Sequence, residues 1–310
     1  MSLVSHFLLF VTTAAAAAVC NTTFDGRIRK NATASLFTSA QSPYNPKYVL
    51  GQNVTWDQVI KFPDIEPSKY DKVAGSKPIE VVINDTSIFA STSEGAETAL
   101  RRAELLINNN PPTVSGKKTW FLSLRTSPSR PLNLTHEYVL AFHEAQDYQA
   151  DFWSLKVGTP LDPSVSYGEM VEGGYKDQRV DEAMLGRGEV IYIQGYKWAS
   201  PIQTYFLAPF TPDTWHNFGL YLDYDDNKMQ ILYSTGLAEL ETTTALLANN
   251  LSGKAPTTLG ETHIGIQKKP VGANLTNYLF EGEQEFGIDE GLVLGGVWQV
   301  DGHARECGML

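Results

Sequence analysis

The stretch "GLYLDYDDNKMQILYST", residues 219–235, carries the pattern that decides the fold. Phe218, Leu220 and Leu222 alternate with polar positions, which is the period of a half-buried β-strand. The "DDNK" at 225–228 supplies turn residues before a second β-rich run begins. The stretch therefore predicts a β-hairpin.

Short β-rich runs bounded by Gly, Asp, Asn and Pro continue this pattern along most of the chain. They are "IEVVINDTSIF" (79–89), "TWFLSL" (119–124), "EYVLAFHE" (137–144), "DFWSLKVGT" (151–159), "EVIYIQG" (189–195), "WHNFGLYLDYD" (215–225), "KMQILYST" (228–235), "THIGIQKK" (262–269) and "GLVLGGVWQVD" (291–301). Helical patterns are scarce, and "TWDQVI" (55–60) is at most a short helix. We expect one all-β domain over residues 25–303, a two-sheet antiparallel sandwich of the jelly-roll type.

Residues 160–188 interrupt the β pattern. The segment is rich in glycine and acidic residues and has little apolar periodicity. Long irregular segments inside compact domains are usually functional or disordered. We interpret it as a long loop that flanks a substrate groove, with a passive surface insertion as the alternative.

Charge limits the classes of partner. The 310 residues include 35 acidic and 24 basic side chains, a net charge of −11. Nucleic-acid binders need a basic footprint, so we expect no nucleic-acid partner. An anionic polymer would be an awkward substrate unless the groove were locally basic.

The N-terminus indicates export. Residues 1–20, "MSLVSHFLLFVTTAAAAAVC", have no charged side chain and end in small residues, which is typical of a signal peptide. A membrane anchor is the alternative, but the apolar run is short and has no stop-transfer flank. We expect a secreted protein that is not attached to a membrane after cleavage. Cys20 and Cys307 could join the two ends if cleavage spares Cys20.

Seven Asn-x-Ser/Thr sequons support the same compartment, since they are acceptors for N-glycosylation. These sequons are at Asn21, Asn31, Asn53, Asn84, Asn133, Asn250 and Asn274.

Several catalytic motifs are missing from the sequence: a nucleotide-binding glycine loop, a G-x-S-x-G elbow and an H-E-x-x-H pair. His136 and His143 lie seven residues apart, so a regular strand places them on opposite faces. We therefore expect no metal site and no cofactor. Carboxylates remain, and two of them suffice to hydrolyse a glycosidic bond.

"RRAELL", residues 101–106, offers the first carboxylate. In a strand, Arg102 and Glu104 share one face. A guanidinium beside Glu104 favours the charged carboxylate, which suits a nucleophile, a base or a charge stabiliser. Arg102 could bind substrate or only clamp neighbouring acids.

Blocks spread over residues 42–297 resemble glycoside hydrolase family 131. They are "SPYNP" (42–46), "KPIEVVINDTSIF" (77–89), "RRAELL" (101–106), "RPLNLTHEY" (130–138), "WHNF" (215–218), "LYLDYDDNKMQILYSTG" (220–236), "HIGIQKKP" (263–270) and "IDEGLVLGGV" (288–297). The resemblance implies a secreted jelly-roll enzyme that cleaves β-linked glucans. The chain more distantly resembles polysaccharide lyase family 20, the glucuronan lyases. Glu104 stands where such a lyase would need an amide to neutralise the substrate carboxylate, which favours hydrolysis.

The second carboxylate should come from "THEYVLAFHE", residues 135–144, which the family resemblance places near Glu104. Glu137 shares its face with His143, and Glu144 shares the opposite face with bulky apolar residues. If that apolar set faces the core, Glu137 faces the groove, and we predict Glu104 and Glu137 as the catalytic pair. Glu144 is the alternative if a bulge re-aims it.

Three further residues are predicted to contact the sugar: His143, His216 and Trp215. His216 begins a strand and could instead be a buried core histidine, and Trp215 could be packing rather than a sugar platform. We expect a monomeric hydrolase acting on β-glucan polysaccharides or oligosaccharides. A lyase for glucuronan-like polymers and a non-catalytic carbohydrate-binding jelly roll are the alternatives.

Overall fold

The structure is a computed structural model that describes residues 20–47, 51, 53–91, 95–148, 151–162, 166–251 and 259–307. Its strands, in chain order, are β1 (Thr22–Asp25), β2 (Ile28–Arg29), β3 (Ile60–Lys61), β4 (Ser76–Lys77), β5 (Ile79–Asn84), β6 (Ala90–Ser91), β7 (Gly95–Ala96), β8 (Arg101–Leu106), β9 (Lys117–Thr126), β10 (Glu137–Ala145), β11 (Asp151–Gly158), β12 (Glu169–Lys176), β13 (Val190–Gln194), β14 (Gln203–Pro209), β15 (His216–Asp223), β16 (Lys228–Thr235), β17 (Glu241–Thr242), β18 (Leu247–Ala248), β19 (Leu259–Lys268) and β20 (Asp289–Asp301).

The helices in the described ranges are short. They are α1 (Trp56–Val59), α2 (Lys69–Ala74) and α3 (Glu182–Gly186), with 3₁₀ turns at Ala34–Thr38 and Pro111–Thr113. Each helix in these ranges falls short of the length and apolarity that a bilayer crossing requires.

Two large sheets form the predicted sandwich, which confirms the all-β jelly-roll fold. Within the described residues, the first sheet has nine strands, with the order β17-β16-β15-β9-β20-β5-β3, β1 added on β20 and β18 on β16. The second has seven, in the order β12-β14-β13-β11-β10-β19-β8. β2 pairs with β4 and β6 with β7 in two small ribbons.

The predicted hairpin is confirmed. β15 and β16 pair antiparallel, from His216 opposite Thr235 to Asp223 opposite Lys228. Leu220 and Ile231 of this hairpin lie in the core between the two sheets, and Leu155 of β11 in the other sheet belongs to the same core. The alternating apolar residues thus line the inside of the sandwich, and the residues between them point to the outer face of each sheet.

Some predicted elements are corrected. The strand predicted over 79–89 is β5 only, because Asn84 begins a turn in which its side-chain oxygen accepts from the amide of Thr86. The loop predicted over 160–188 contains β12, which pairs parallel with β14, and α3. An irregularity between Met170 and Tyr175 breaks the alternation of β12, so its sequence shows no strand period. The ring of Tyr167 in this segment packs edge-on against Tyr192.

A disulfide between Cys20 and Cys307 joins the two ends of the domain. Residues 1–19 of the predicted signal peptide lie outside the described residues. Because β1 begins at Thr22 and pairs with β20, the folded domain starts slightly before the predicted boundary at residue 25. A mature chain that kept this disulfide would have to be cleaved before Cys20.

Candidate active site

Three adjacent strands build the candidate site on the outer face of the seven-stranded sheet. In β8, Ala103 and Leu105 point into the core, so Arg102 and Glu104 point outward, as predicted. β19 pairs with β8 on one side and with β10 on the other. His263 of β19 lies opposite Phe142 of β10, and the two rings stack with centroids 4.4 Å apart.

Glu104 is buried on this outer face, with 1% of its side chain exposed. Arg102 donates to both carboxylate oxygens, at 3.2 and 3.0 Å, and Nδ1 of His263 lies 2.7 Å from Oε2. Gln267 donates a weaker bond to Oε1 at 3.4 Å. Burial opposes ionisation, but Arg102 and His263 outweigh it and lower the pKa of Glu104 to about 2. Glu104 is therefore ionised at neutral pH.

Arg102 is a clamp between carboxylates. Besides Glu104 it contacts Glu97 at 3.3 Å, and its guanidinium lies 4.9 Å from the centre of the Phe89 ring. Burial lowers the pKa of Arg102, but the two carboxylates more than reverse that effect and raise it. With its donors directed at these acids, Arg102 fits the clamping alternative better than a sugar contact.

His263 connects Glu104 to two more carboxylates. Its Nε2 lies 3.4 Å from Glu144 Oε2 and 3.9 Å from Glu261 Oε1. Burial lowers the pKa of His263, but the hydrogen bond with Glu104 and the charges of Glu104 and Glu144 outweigh this and raise it to about 9. The ring is thus an imidazolium that carries a proton toward each side.

A bulge in β10 decides which glutamate joins Glu104. The register shifts between Val139 and Ala141 against both neighbouring strands. Ala141 therefore joins Tyr138 and Leu140 in the core, and the alternation reverses beyond it. The prediction that Phe142 faces the core is wrong, since Phe142 stacks on His263. Glu144, the alternative residue, is aimed into the site with 21% of its side chain exposed.

Glu137 lies on the same outer face but in a separate cluster. Its Oε1 contacts Lys269 at 2.5 Å and Lys156 at 3.2 Å, and its Oε2 accepts from the amide of Leu161 at 2.8 Å. Burial opposes ionisation, but the two lysines dominate and lower the pKa of Glu137. Its carboxylate is occupied by these three donors and 5% of the residue is exposed, so the structure places it beside Lys269 rather than beside Glu104.

His143, predicted in the groove, lies in the core. The bulge turns it inward, where its ring packs against Phe152 and Tyr224 and its Nδ1 lies 3.0 Å from Thr262 Oγ1. Burial, with a smaller effect from the charge of His263, lowers the pKa of His143 to about 3. His143 is therefore a neutral histidine in the core and not the predicted sugar contact.

His216 and Trp215 belong to the other sheet, so the prediction that they line the groove is also wrong. His216 is fully buried, with Nδ1 2.7 Å from the hydroxyl of Tyr233, and burial lowers its pKa to about 4. The indole of Trp215 donates to the carbonyl of Glu66 at 3.0 Å and packs beside Arg125. Both residues thus have the alternative, structural role: His216 is a buried core histidine, and Trp215 contributes packing.

Sequence reasoning missed the contribution of β19. His263, Glu261 and Gln267 alternate with the core residues Ile264 and Ile266, so strand parity alone could have placed them on one outer face. The same alternation places Lys268 and Lys269, at the end of β19, on opposite faces of the sheet. Lys268 is fully buried, with Nζ 2.5 Å from Glu285 and 2.7 Å from Glu290.

A metal ion is the other species that this site could hold. Ligand atoms of Glu144, Glu261 and His263 lie within 4.8 Å of one another, which is close enough for one cation. At neutral pH, however, His263 carries the proton that a metal would have to displace. The imidazolium fits the three carboxylates without a metal.

A jelly roll with several carboxylates clustered on one sheet face has the groups that a carbohydrate-active protein needs for glycosidic-bond hydrolysis. The chain belongs to a particular family of such proteins: residues 22–303 match the glycoside hydrolase 131 catalytic N-terminal domain. It is therefore a glycoside hydrolase, as the sequence resemblance implied.

Solved structures share the fold. A GH131 β-glucanase catalytic domain from Podospora anserina is 17% identical, with a TM-score of 0.62 over 91% of this chain and 97% of that one. The catalytic domain of the glycoside hydrolase family 131 protein from Coprinopsis cinerea is 16% identical, with a TM-score of 0.59 over 91% and 94% of the two chains. No curated protein sequence matches this chain.

Proposed function

We propose that this chain is a secreted hydrolase of β-linked glucans, in which Glu104 and Glu144 form the catalytic pair. The observation that carries the proposal is His263, whose two ring nitrogens face these two carboxylates, at 2.7 and 3.4 Å. β-Glucan is the substrate class because the Podospora anserina relative with this fold is a β-glucanase. This pair replaces the predicted partner Glu137, whose carboxylate is held by two lysines.

Glu144 is the proton donor of the proposed pair. It lies directly opposite Glu261 in the β10–β19 ladder, and both side chains are partly open to the groove. Burial and the neighbouring carboxylates Glu144 and Glu104 raise the pKa of Glu261, against the opposing charge of His263. One imidazolium thus faces three carboxylates, and the raised pKa of Glu261 favours a proton within this group. That proton is available for the leaving oxygen of the glycosidic bond.

Glu104 is the base of the proposed pair. Its low pKa keeps it unprotonated, which a base requires. It is covered in the free protein, but its contact with Gln267 is the weakest of its hydrogen bonds, at 3.4 Å. A water held by bound substrate could take the place of Gln267, since catalytic contacts often form only in the substrate complex.

The position of the His263 ring also bears on whether hydrolysis inverts or retains the configuration of the anomeric carbon. Its two nitrogens lie 2.7 Å from Glu104 and 3.4 Å from Glu144, so a ring stands between the two carboxylates, and inverting glycosidases space theirs by roughly 6.5–9.5 Å to admit a water. Retaining enzymes hold the two groups about 5–5.5 Å apart. We therefore expect inversion, observed by NMR as an α-anomer released first from a β-glucan.

The decisive experiment is an assay of the purified protein on a panel of β-glucans and on glucuronan. Hydrolysis yields new reducing ends without ultraviolet absorption, whereas a lyase yields unsaturated ends that absorb. Binding with no new ends would identify a carbohydrate-binding protein. Glu144→Gln should remove the reducing ends while the melting temperature stays near the wild-type value.

Export is part of the proposal. The disulfide of Cys20 with Cys307 is typical of oxidising compartments. Among the sequons, Asn84 and Asn133 are half-buried, and Asn133 already donates to Glu285 at 2.8 Å. The exposed sequons are Asn21, Asn31, Asn53, Asn250 and Asn274. Expression in a secreting host, followed by deglycosylation and mass spectrometry, should find glycans at exposed sequons; an unglycosylated, cell-retained product would contradict export.

A further inference from the structure

Two loops bring cationic and aromatic side chains to the same outer sheet face as the candidate active site. The loop after β13 is fixed there, since the amide of Lys197 donates to the carbonyl of Asp151 at 2.9 Å. Asp151 pairs directly with Glu144 across the β10–β11 ladder. The segment after β19 supplies Tyr278, whose hydroxyl accepts from Lys197 Nζ at 3.1 Å.

Tyr278 lies between two ammonium groups. Lys269 Nζ is 4.8 Å and Lys197 Nζ 5.5 Å from the centre of its ring. Trp198, next along the chain, lies 5.2 Å from Lys197 Nζ and is 59% exposed. An open indole beside a lysine offers a flat apolar surface and a positive charge to one ligand.

Positive side chains gather in this region, whereas carboxylates predominate around His263. Three lysines, Lys156, Lys197 and Lys269, gather around the carboxylates of Glu137 and Asp151. Burial, with too little compensation from Glu137, lowers the pKa of Lys156 to about 8. Burial also works against the charge of Lys197, but Tyr278 and Asp151 raise its pKa above the usual value. An added anion would therefore be stabilised here.

We propose that Trp198, Lys197 and Tyr278 form a subsite for a sugar unit that bears a carboxylate. The sugar ring stacks on the indole of Trp198, and Lys197 donates a charge-assisted hydrogen bond to the carboxylate of the sugar. This inference rests on the proposed function and narrows its substrate class. The hydrolase favours β-glucan chains that carry uronosyl or C6-oxidised units next to the bond that it cleaves.

The test compares two ligands on an inactive protein. A β-linked gluco-oligosaccharide and the same compound with one C6 oxidised to a carboxylate are titrated by calorimetry into the full chain carrying Glu144→Gln. We expect the oxidised compound to bind about tenfold more tightly, as one charge-assisted contact allows. Lys197→Gln should abolish this preference, and Lys197→Arg should keep it.

Matched variants separate the two parts of the subsite. Trp198→Ala should weaken both ligands about tenfold and leave their ratio unchanged. Lys30→Gln and Phe286→Ala change an exposed lysine and a 99% exposed phenylalanine elsewhere, and should alter neither affinity. Melting temperatures verify that each variant is folded.

Three results would overturn the subsite. They are equal affinity for the two ligands, a preference that survives Lys197→Gln, and competition by inorganic phosphate as strong as that by the oxidised sugar. Because binding is measured without turnover, the subsite and the proposed hydrolase function are tested separately, and either can fail while the other holds. If the wild-type chain releases no reducing ends while the preference persists, the activity is wrong and the subsite stands.

Discussion

Two clusters on one sheet face contain buried glutamates, and they differ in how many cations serve each carboxylate. Glu137 has two lysines and a backbone amide to itself. The other cluster holds Glu104, Glu144 and Glu261 around the imidazolium of His263, and Arg102 binds Glu104 from the other side. In the first cluster, donors enclose a carboxylate that is only 5% exposed, and the cluster is closed. The second is open: its carboxylates outnumber its cations, and Glu144 and Glu261 are partly exposed, which favours retention of a proton within the group.

Removal of Glu144 tests the open cluster and should give the largest effect. Glu144→Gln keeps the side-chain shape and removes the proton donor, so turnover on β-glucan should fall by about 10²–10⁴-fold. Stability should change little because the side chain is partly exposed. The exposed carboxylate of Glu239 provides the control, and Glu239→Gln should retain full turnover. Near-native turnover of Glu144→Gln would move the catalytic role elsewhere.

Removal of Glu137 tests the closed cluster. Glu137→Gln leaves Lys156 and Lys269 buried without their shared counter-ion, which should cost about 3–5 kcal/mol of unfolding free energy. At a temperature where the variant is folded, turnover should stay within a few-fold of wild type. Denaturant melts and initial rates on the same sample measure both. Lost turnover with intact stability would restore the sequence-based assignment of Glu137.

The pH dependence of stability sharpens the comparison through His263. Its folded pKa of about 9 lies above the ordinary value of 6.5, so its stabilising effect is complete below about pH 6.5 and is lost as pH rises through 9. Over that window the loss should approach about 3 kcal/mol. At the acid end, Glu104 contributes above about pH 4.5 and loses its effect toward pH 2.

The measurement subtracts the stability of His263→Asn from that of wild type at each pH. Subtraction is needed because the lowered pKa of Lys156, about 8, changes stability in the same range with the opposite sign. A difference that stays flat from pH 6.5 to 9.5 would show that His263 is neutral in the folded protein.

The smallest effect is expected on the far sheet. Trp215→Phe removes one hydrogen bond, to the carbonyl of Glu66, and should cost about 1–2 kcal/mol of stability. Turnover and KM on β-glucan should remain within twofold of wild type, because Trp215 lies on the other sheet from Glu104. A raised KM would return Trp215 to the role of sugar platform.

Strand parity explains how much of the site the sequence could reveal. It placed Arg102 and Glu104 together because β8 is regular from end to end. The same argument failed at His143 and Glu144, since the bulge after Val139 changes the parity of everything that follows. A bulge is one extra residue fitted against the partner strands, and β10 alone gives no sign of it.

By itself, the sequence determined the two-sheet fold, the family and Glu104 as a carboxylate tuned by arginine. The fold and the tuned carboxylate follow from local alternation, turn residues and neighbours two positions apart. The family follows from the resemblance of sequence blocks over residues 42–297. Only the tertiary structure decided that Glu144 faces the groove, that Glu137 is held by lysines and that His216 lies inside. Each of these depends on the register between strands distant in the chain, where a shift of one residue exchanges the groove for the core.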